Sequence, residues 1–171
     1  MSEVLKDWGA LSPEKNRVRV RLEREFDHDT ERVWTMLTDP ACLANWLAPG
    51  TIDLQPGGEV KLDFGMSGTP IDSRVRAIRT GRLLEYSWSA GDDPERPLRW
   101  ELEPVPGGTR LSLTLLLPHD HRVALSSAGW DAHLEMLAAA LEGISIHFPA
   151  DRFREARAAF TELAQQLPQQ A

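Results

Sequence analysis

Seven large rings sit at positions that repeat toward one side of their segments: Trp34, Trp46, Phe64, Tyr86, Trp88, Trp100 and Trp130. Inward rings either fill a core or wall a pocket that stacks on an aromatic ligand. Three residues beyond Trp130 comes His133, beside Leu134 and Leu137, a polar group placed to anchor a ligand in an apolar wall. The other histidines are His28, His119, His121 and His147. His119-Asp120-His121 raises a three-histidine metal site, but the tight ligand spacing of a zinc site is missing, and the loop histidines read as solvated. Neither a metal nor a cofactor is expected. The strand carboxylates Asp63, Glu85 and Glu101 fall on the outer register, so no acid–base pair is committed to the interior and no catalytic residue is assigned. Cys42 reads as a buried thiol, because no base can be placed beside it.

The elements that must position these groups follow from periodicity. Residues 1–16 are polar and mixed and read as an N-terminal arm with Leu5, Trp8 and Leu11 as docking points. From Arg17 the chain alternates, with Val18, Val20, Leu22 and Phe26 on one face, as a half-buried strand does. His28-Asp29-Thr30 offers a helix cap ahead of Val33, Trp34 and Leu37. Asp39-Pro40 starts a second short helix carrying Leu43, Trp46 and Leu47, with proline at its first position. Turn signals at Pro56-Gly57-Gly58, Thr80-Gly81, Gly91-Asp92-Asp93-Pro94 and Pro106-Gly107-Gly108 then separate short alternating runs, a first one at Ile52–Leu54 among them. No helical crossover lies between these runs, so the sheet they form is antiparallel.

Ser126 to Gly143 is a long helix with Trp130, Leu134, Leu137 and Leu141 on one stripe. Asp131, Glu135 and Glu142 make a narrow polar edge, and Gly143 supplies a left-handed stop. Its back carries Ala132, Met136 and Ala139 instead of charge, a seat for the amphipathic helix that follows Asp151, with Phe153, Ala156, Phe160, Leu163 and Leu167 in line. Packing of that last helix within the chain is favoured over a homodimer seam. The layout is α+β: a sheet of about six or seven strands, two short helices after the first strand, and a long helix packed on the sheet.

The chain has 171 residues, 42% of them hydrophobic, which suits one domain with short extensions. A net charge of −7 argues against nucleic acid and anionic lipid as partners. A single cysteine, no signal-peptide run and no membrane-span window lead to the expectation of a cytoplasmic protein.

Glu31-Arg32-Val33-Trp34, Leu37-Thr38-Asp39-Pro40 and Leu43-Ala44-Asn45-Trp46-Leu47 resemble the opening signature of the activator of heat-shock protein 90 ATPase homologues. Pro56-Gly57-Gly58, Leu84-Glu85-Tyr86-Ser87-Trp88, Gly107-Gly108-Thr109-Arg110-Leu111 and Gly129-Trp130-Asp131-Ala132-His133-Leu134 extend the resemblance over residues 17–143. These proteins belong to the START-like (SRPBCC) superfamily, with the birch pollen allergen, the lipid-transfer START domains and the aromatase/cyclases. The resemblance implies a helix-grip fold, in which the sheet curls around the long helix and an apolar tunnel can hold a hydrophobic small molecule. It implies no particular ligand. The division expected is an arm (1–16), a helix-grip domain (17–143) and a C-terminal extension (144–171).

The favoured function is binding of a hydrophobic, aromatic-containing small molecule between sheet and long helix. The candidate site is Trp34, Trp46, Phe64, Tyr86, Trp88, Trp100, Trp130, His133, Leu134 and Leu137. Two alternatives stand beside it: a chaperone-interacting or other protein-interaction module, and a cyclase or dehydratase acting on an aromatic or polyketide-like substrate. An enzyme is the less favoured reading, since no polar pair faces inward.

Overall fold

The computed structural model describes residues 8–63, 70–91 and 93–167. Leu5, Phe64 and the tail from Pro168 lie outside the described residues. In chain order the elements are β1 (Ala10–Glu14), β2 (Arg17–Phe26), α1 (Thr30–Thr38), α2 (Pro40–Trp46), β3 (Gly50–Ile52), β4 (Glu59–Leu62), β5 (Ile71–Arg79), β6 (Leu83–Ser87), β7 (Pro97–Val105), β8 (Gly108–Pro118), α3 (Arg122–Leu141) and α4 (Ala150–Gln165). The strands form one antiparallel sheet of eight, ordered β1-β2-β8-β7-β6-β5-β4-β3. The fold is α+β and of the helix-grip type.

The alternation in the sequence sets the inward face. Val18, Val20 and Leu22 on β2 are buried, as are Leu84 and Tyr86 on β6, Leu98, Trp100 and Leu102 on β7, and Leu111, Leu113, Leu115 and Leu117 on β8. Residues facing away from them form ion pairs on the outer surface, such as Arg99–Glu85 and Arg110–Glu103. A register shift between Val75 and Ala77 is the one irregularity in the pairing of β5 with β6, and such a bulge increases local twist and bend. Both short helices are capped by the residues expected. The Asp29 side chain accepts from the Arg32 amide at 2.9 Å, and Asp39 accepts from the Ala41 amide at 2.9 Å.

Among the described residues eight strands are present against the six or seven expected, because part of the arm joins the sheet. β1 pairs with β2 from Glu14↔Arg17 to Ala10↔Arg21. Pro13 is tolerated there because β1 is the edge strand and needs no donor on its outer side. β3 sits two residues earlier than Ile52–Leu54, and Leu54 is exposed.

α3 starts at Arg122, four residues before the expected start, and ends as the sequence indicates. Gly143 has φ +77°, its amide donates to the Ala140 carbonyl, and the Ile144 amide donates to the Ala139 carbonyl. That is a Schellman stop, which turns the chain sharply toward α4. α4 begins at Ala150, with Asp151 in its first turn instead of capping it. It folds back on α3 within the chain and buries Ala156 and Phe160 completely.

A buried charge cluster fastens this helix pair. Asp131, expected on a polar edge, is fully buried. Its carboxylate accepts from Arg24 Nη2 at 2.5 Å, from Arg152 Nε at 2.7 Å and from Arg152 Nη2 at 3.2 Å. Glu135 lies 3.9 Å from Arg152 and balances the remaining charge. Of the helix back, Ala132 is fully buried while Met136 lines a cleft, and Asp131 and Glu135 pair with Arg152 in the first turn of α4. The arm closes over the pair, with Trp8 edge-on to Phe160 at 6.5 Å and Arg152 over the Trp8 ring at 4.9 Å.

Candidate functional site

The rings expected to wall a tunnel mostly fill it. Trp46 on α2, Trp100 on β7 and Tyr86 on β6 are about 1% exposed or less, and Leu134 and Leu137 on α3 are equally buried. The indoles pack edge to face in a chain: Trp46–Trp100 at 6.0 Å, Trp100–Trp130 at 5.7 Å and Trp130–Trp88 at 4.7 Å. Trp46 Nε1 donates to the Met36 carbonyl at 2.8 Å, which ties α2 to α1. Trp34 is buried on α1. Stiff rings in T-shaped contact pack to interior density, so this part of the grip is solid core.

A cleft remains where the ring chain reaches the surface. It encloses about 760 Å³, is open to solvent, and is lined by Leu47, Ala48, Pro49, Pro70, Ile71, Trp88, Ser89, Ala90, Asp93, Arg96, His133, Met136 and Phe148. Its walls come from the end of α2, the start of β5, the β6–β7 connection, one face of α3 and the α3–α4 connector. A short parallel bridge between Asp72 and Ala90 pins β5 to the β6–β7 connection. The Asp72 amide donates to the Ser89 carbonyl at 3.0 Å, and the Gly91 amide to the Asp72 carbonyl at 3.2 Å. That wall is therefore held by backbone bonds as well as by packing.

Of the ten expected site residues, Trp88 and His133 line this cleft. Trp130 stands directly behind both, its ring 4.7 Å from Trp88 and 6.0 Å from His133. The remaining described members are buried in the core. Phe148, Met136 and Arg96 were not expected. Phe148 sits in the connector, 43% exposed, with its ring 5.7 Å from His133 and 5.6 Å from Phe153. The sequence held a signal for it: Ile144, Ile146 and Phe148 are alternating apolar residues after a helix stop, and all three are exposed.

His133 has a defined protonation state. Its Nδ1 lies 3.1 Å from the Trp46 carbonyl oxygen, which can only accept, so Nδ1 carries the proton. Burial pushes its pKa below the ordinary histidine value, with the Trp46 carbonyl opposing in part. The ring is therefore neutral at pH 7, with a lone pair on Nε2. Deeper in, the Tyr86 hydroxyl is buried, and among the described residues it has no hydrogen bond of ordinary geometry. Burial pushes its pKa up to about 12, and the Trp100 side chain opposes this in part. The site thus offers apolar ring surface, one neutral imidazole acceptor, the Ser89 hydroxyl, one guanidinium (Arg96) and one carboxylate (Asp93). Among the described residues no group of histidine, cysteine or carboxylate side chains is arranged to hold a metal ion, and no helix is long and apolar enough to cross a membrane.

Solved structures share this architecture. CalU16 from Micromonospora echinospora is 20% identical, with a TM-score of 0.76 over 92% of this chain and 98% of its own. A conserved protein of unknown function from Enterococcus faecalis, EF2215, is 18% identical, with a TM-score of 0.77 over 94% of this chain and 92% of its own. At such identity the likeness shows the fold alone. DynU16, a protein of the dynemicin biosynthetic locus, is 28% identical with a TM-score of 0.67, over 76% of this chain and 48% of its own. No curated protein matches the chain. The model of the family described as Activator of Hsp90 ATPase homolog 1-like protein matches residues 27–142, which run from the turn before α1 to the end of α3 and carry most of the cleft wall, and the chain belongs to that family.

Proposed function

We propose that this protein binds a small apolar molecule with an aromatic part in the cleft between Trp88, His133, Met136 and Phe148. The observation that carries this reading is the cleft itself. Its volume of about 760 Å³ falls within the roughly 300–1,000 Å³ of small-molecule sites. Its walls expose apolar and polar surface in nearly equal measure: Trp88, Met136 and Phe148 offer ring and thioether surface, and Ser89, Asp93, Arg96 and His133 offer polar groups that can orient a ligand. Behind Trp88 the core is solid, so a ligand lies at the mouth of the grip and stacks on Trp88 instead of threading a tunnel. The locus of DynU16 supports a small-molecule ligand over a protein partner.

The test is a titration of fused-ring aromatic compounds, read by tryptophan emission and by melting temperature. A ligand that binds only the folded state raises the melting temperature. Quenching that disappears in Trp88→Leu, together with a raised melting temperature in the native protein, is the expected result. No change of either signal across the series would refute the reading.

A further inference from the structure

Resting on that reading of the cleft, we propose that the ligand carries an anionic group, a carboxylate or its equivalent, held by Arg96 while its ring lies against Trp88. The arginines of the chain point to this. Five described arginines are half-buried: Arg24, Arg96, Arg110, Arg122 and Arg152. Four of them have carboxylate partners: Arg24 and Arg152 share Asp131, Arg110 pairs with Glu25 and Glu103, and Arg122 pairs with Asp120. Arg96 alone of the five has no ion pair among the described residues, and it is the one that lines the cleft. A guanidinium drawn partly out of water without a counter-charge costs free energy, which a bound anion returns.

The backbone fixes Arg96 next to the ring. Its amide donates to Ser87 Oγ at 2.8 Å, and its carbonyl accepts from the Trp88 amide at 2.8 Å. Ser87↔Pro97 is the last pair of the β6–β7 ladder, and the single backbone bond just beyond it holds Trp88 opposite Arg96. Opposite residues of an antiparallel pair share a face. A cation and an indole are thus presented side by side at one rim, which suits a flat molecule with an acidic substituent. A guanidinium grips a carboxylate through two parallel hydrogen bonds. Asp93 is the other charged group on the rim. It is exposed and makes no ion pair with Arg96.

Matched probes separate this inference from the reading beneath it. 2-Naphthoate and 2-naphthamide have the same ring and differ in charge. Their affinities for the full chain, for Arg96→Gln and for Arg96→Lys are measured by calorimetry and by tryptophan quenching. For the native chain the acid should bind roughly tenfold tighter than the amide, the size expected of a charge-assisted bond. Arg96→Gln should abolish that preference, the acid losing far more affinity than the amide, and Arg96→Lys should keep part of it. Equal binding of acid and amide by the native chain overturns the anion inference and leaves the cleft reading standing. A preference that survives in Arg96→Gln overturns the role of Arg96. Binding of neither probe overturns the cleft reading and this inference with it.

Discussion

Replacing Asp131 tests how the last helix holds the cleft in shape. Asp131 is fully buried and pairs with two guanidinium groups whose side chains are only 17% and 28% exposed. Asp131→Ala removes three hydrogen bonds and leaves Arg24 and Arg152 facing each other across the vacated space. Breaking a buried ion pair by deleting one partner costs about 3–5 kcal/mol. Both arginines reach some water, so the lower end, about 3 kcal/mol, is the better figure here. For a chain of this length that corresponds to a fall in melting temperature of about 6–12 °C. Arg152 and Phe153 occupy adjacent positions at the start of α4, and Phe153 packs on Phe148, so the loosened helix should also weaken ligand binding at the cleft. The assay is thermal unfolding followed by circular dichroism, with ligand affinity measured at a temperature where the variant is still folded. The triple change Asp131→Leu, Arg24→Met and Arg152→Leu should recover most of the loss, because an apolar cluster of similar volume replaces the ions without stranding a charge. A melting temperature for Asp131→Ala within about 2 °C of native would refute this account of the helix clasp.

Three further outcomes follow from the site and its frame. His133 is held neutral in the fold, with its pKa below the unfolded value of about 6.5, so stability is full above that pH and declines as pH falls through it toward the folded pKa. The decline can reach about 1.4 kcal/mol per pH unit, and His133→Asn, which keeps a donor for the Trp46 carbonyl, should flatten it in denaturant unfolding run from pH 7.5 to 5; an unchanged slope would exclude His133 as its source. Phe148→Ala should weaken aromatic-ligand binding about tenfold while shifting the melting temperature by less than about 2 °C, since the ring walls the cleft but is nearly half exposed; equal ligand affinity would remove Phe148 from the site. Gly108→Ala should destabilise by more than about 2 kcal/mol, because a Cβ there would lie 1.9 Å from the Phe26 carbonyl oxygen; near-native unfolding would contradict that steric limit.

The elements of the fold were legible wherever local chemistry decides them. Asp29 and Asp39 cap their helices as their neighbours suggest, Gly143 stops α3, and β2, β7 and β8 follow the apolar alternation almost residue for residue. What escaped depends on contacts distant in sequence. β1 is a short stretch with a proline, and only its pairing with β2 makes it a strand. Asp131 looks like a surface acid within its own helix, and its burial depends on Arg24, 107 residues earlier, and Arg152, 21 residues later. One clue was present: Arg24 stands in the inward register of Val18, Val20 and Leu22, where an arginine requires a buried acid. The described rings of the set are buried or packed against the core, but periodicity does not tell a ring that fills from a ring that lines. Trp88 lines because β6 ends at Ser87 and the chain opens there, while Trp46 and Trp100 meet each other and fill the space. Arg96 and Phe148 lie outside helices and strands, where no periodic pattern marks which side faces a cleft.

The central claim is that a small aromatic molecule occupies the cleft beside Trp88, and the indole N–H signals of the six tryptophans test it most directly. Titrating ¹⁵N-labelled protein with 2-naphthoate should move the Trp88 signal most and Trp130 behind it less. Trp8, packed on Phe160 and Arg152 outside the cleft, should stay in place. Shifts centred on Trp8, or no indole shift at saturating probe, would contradict the account.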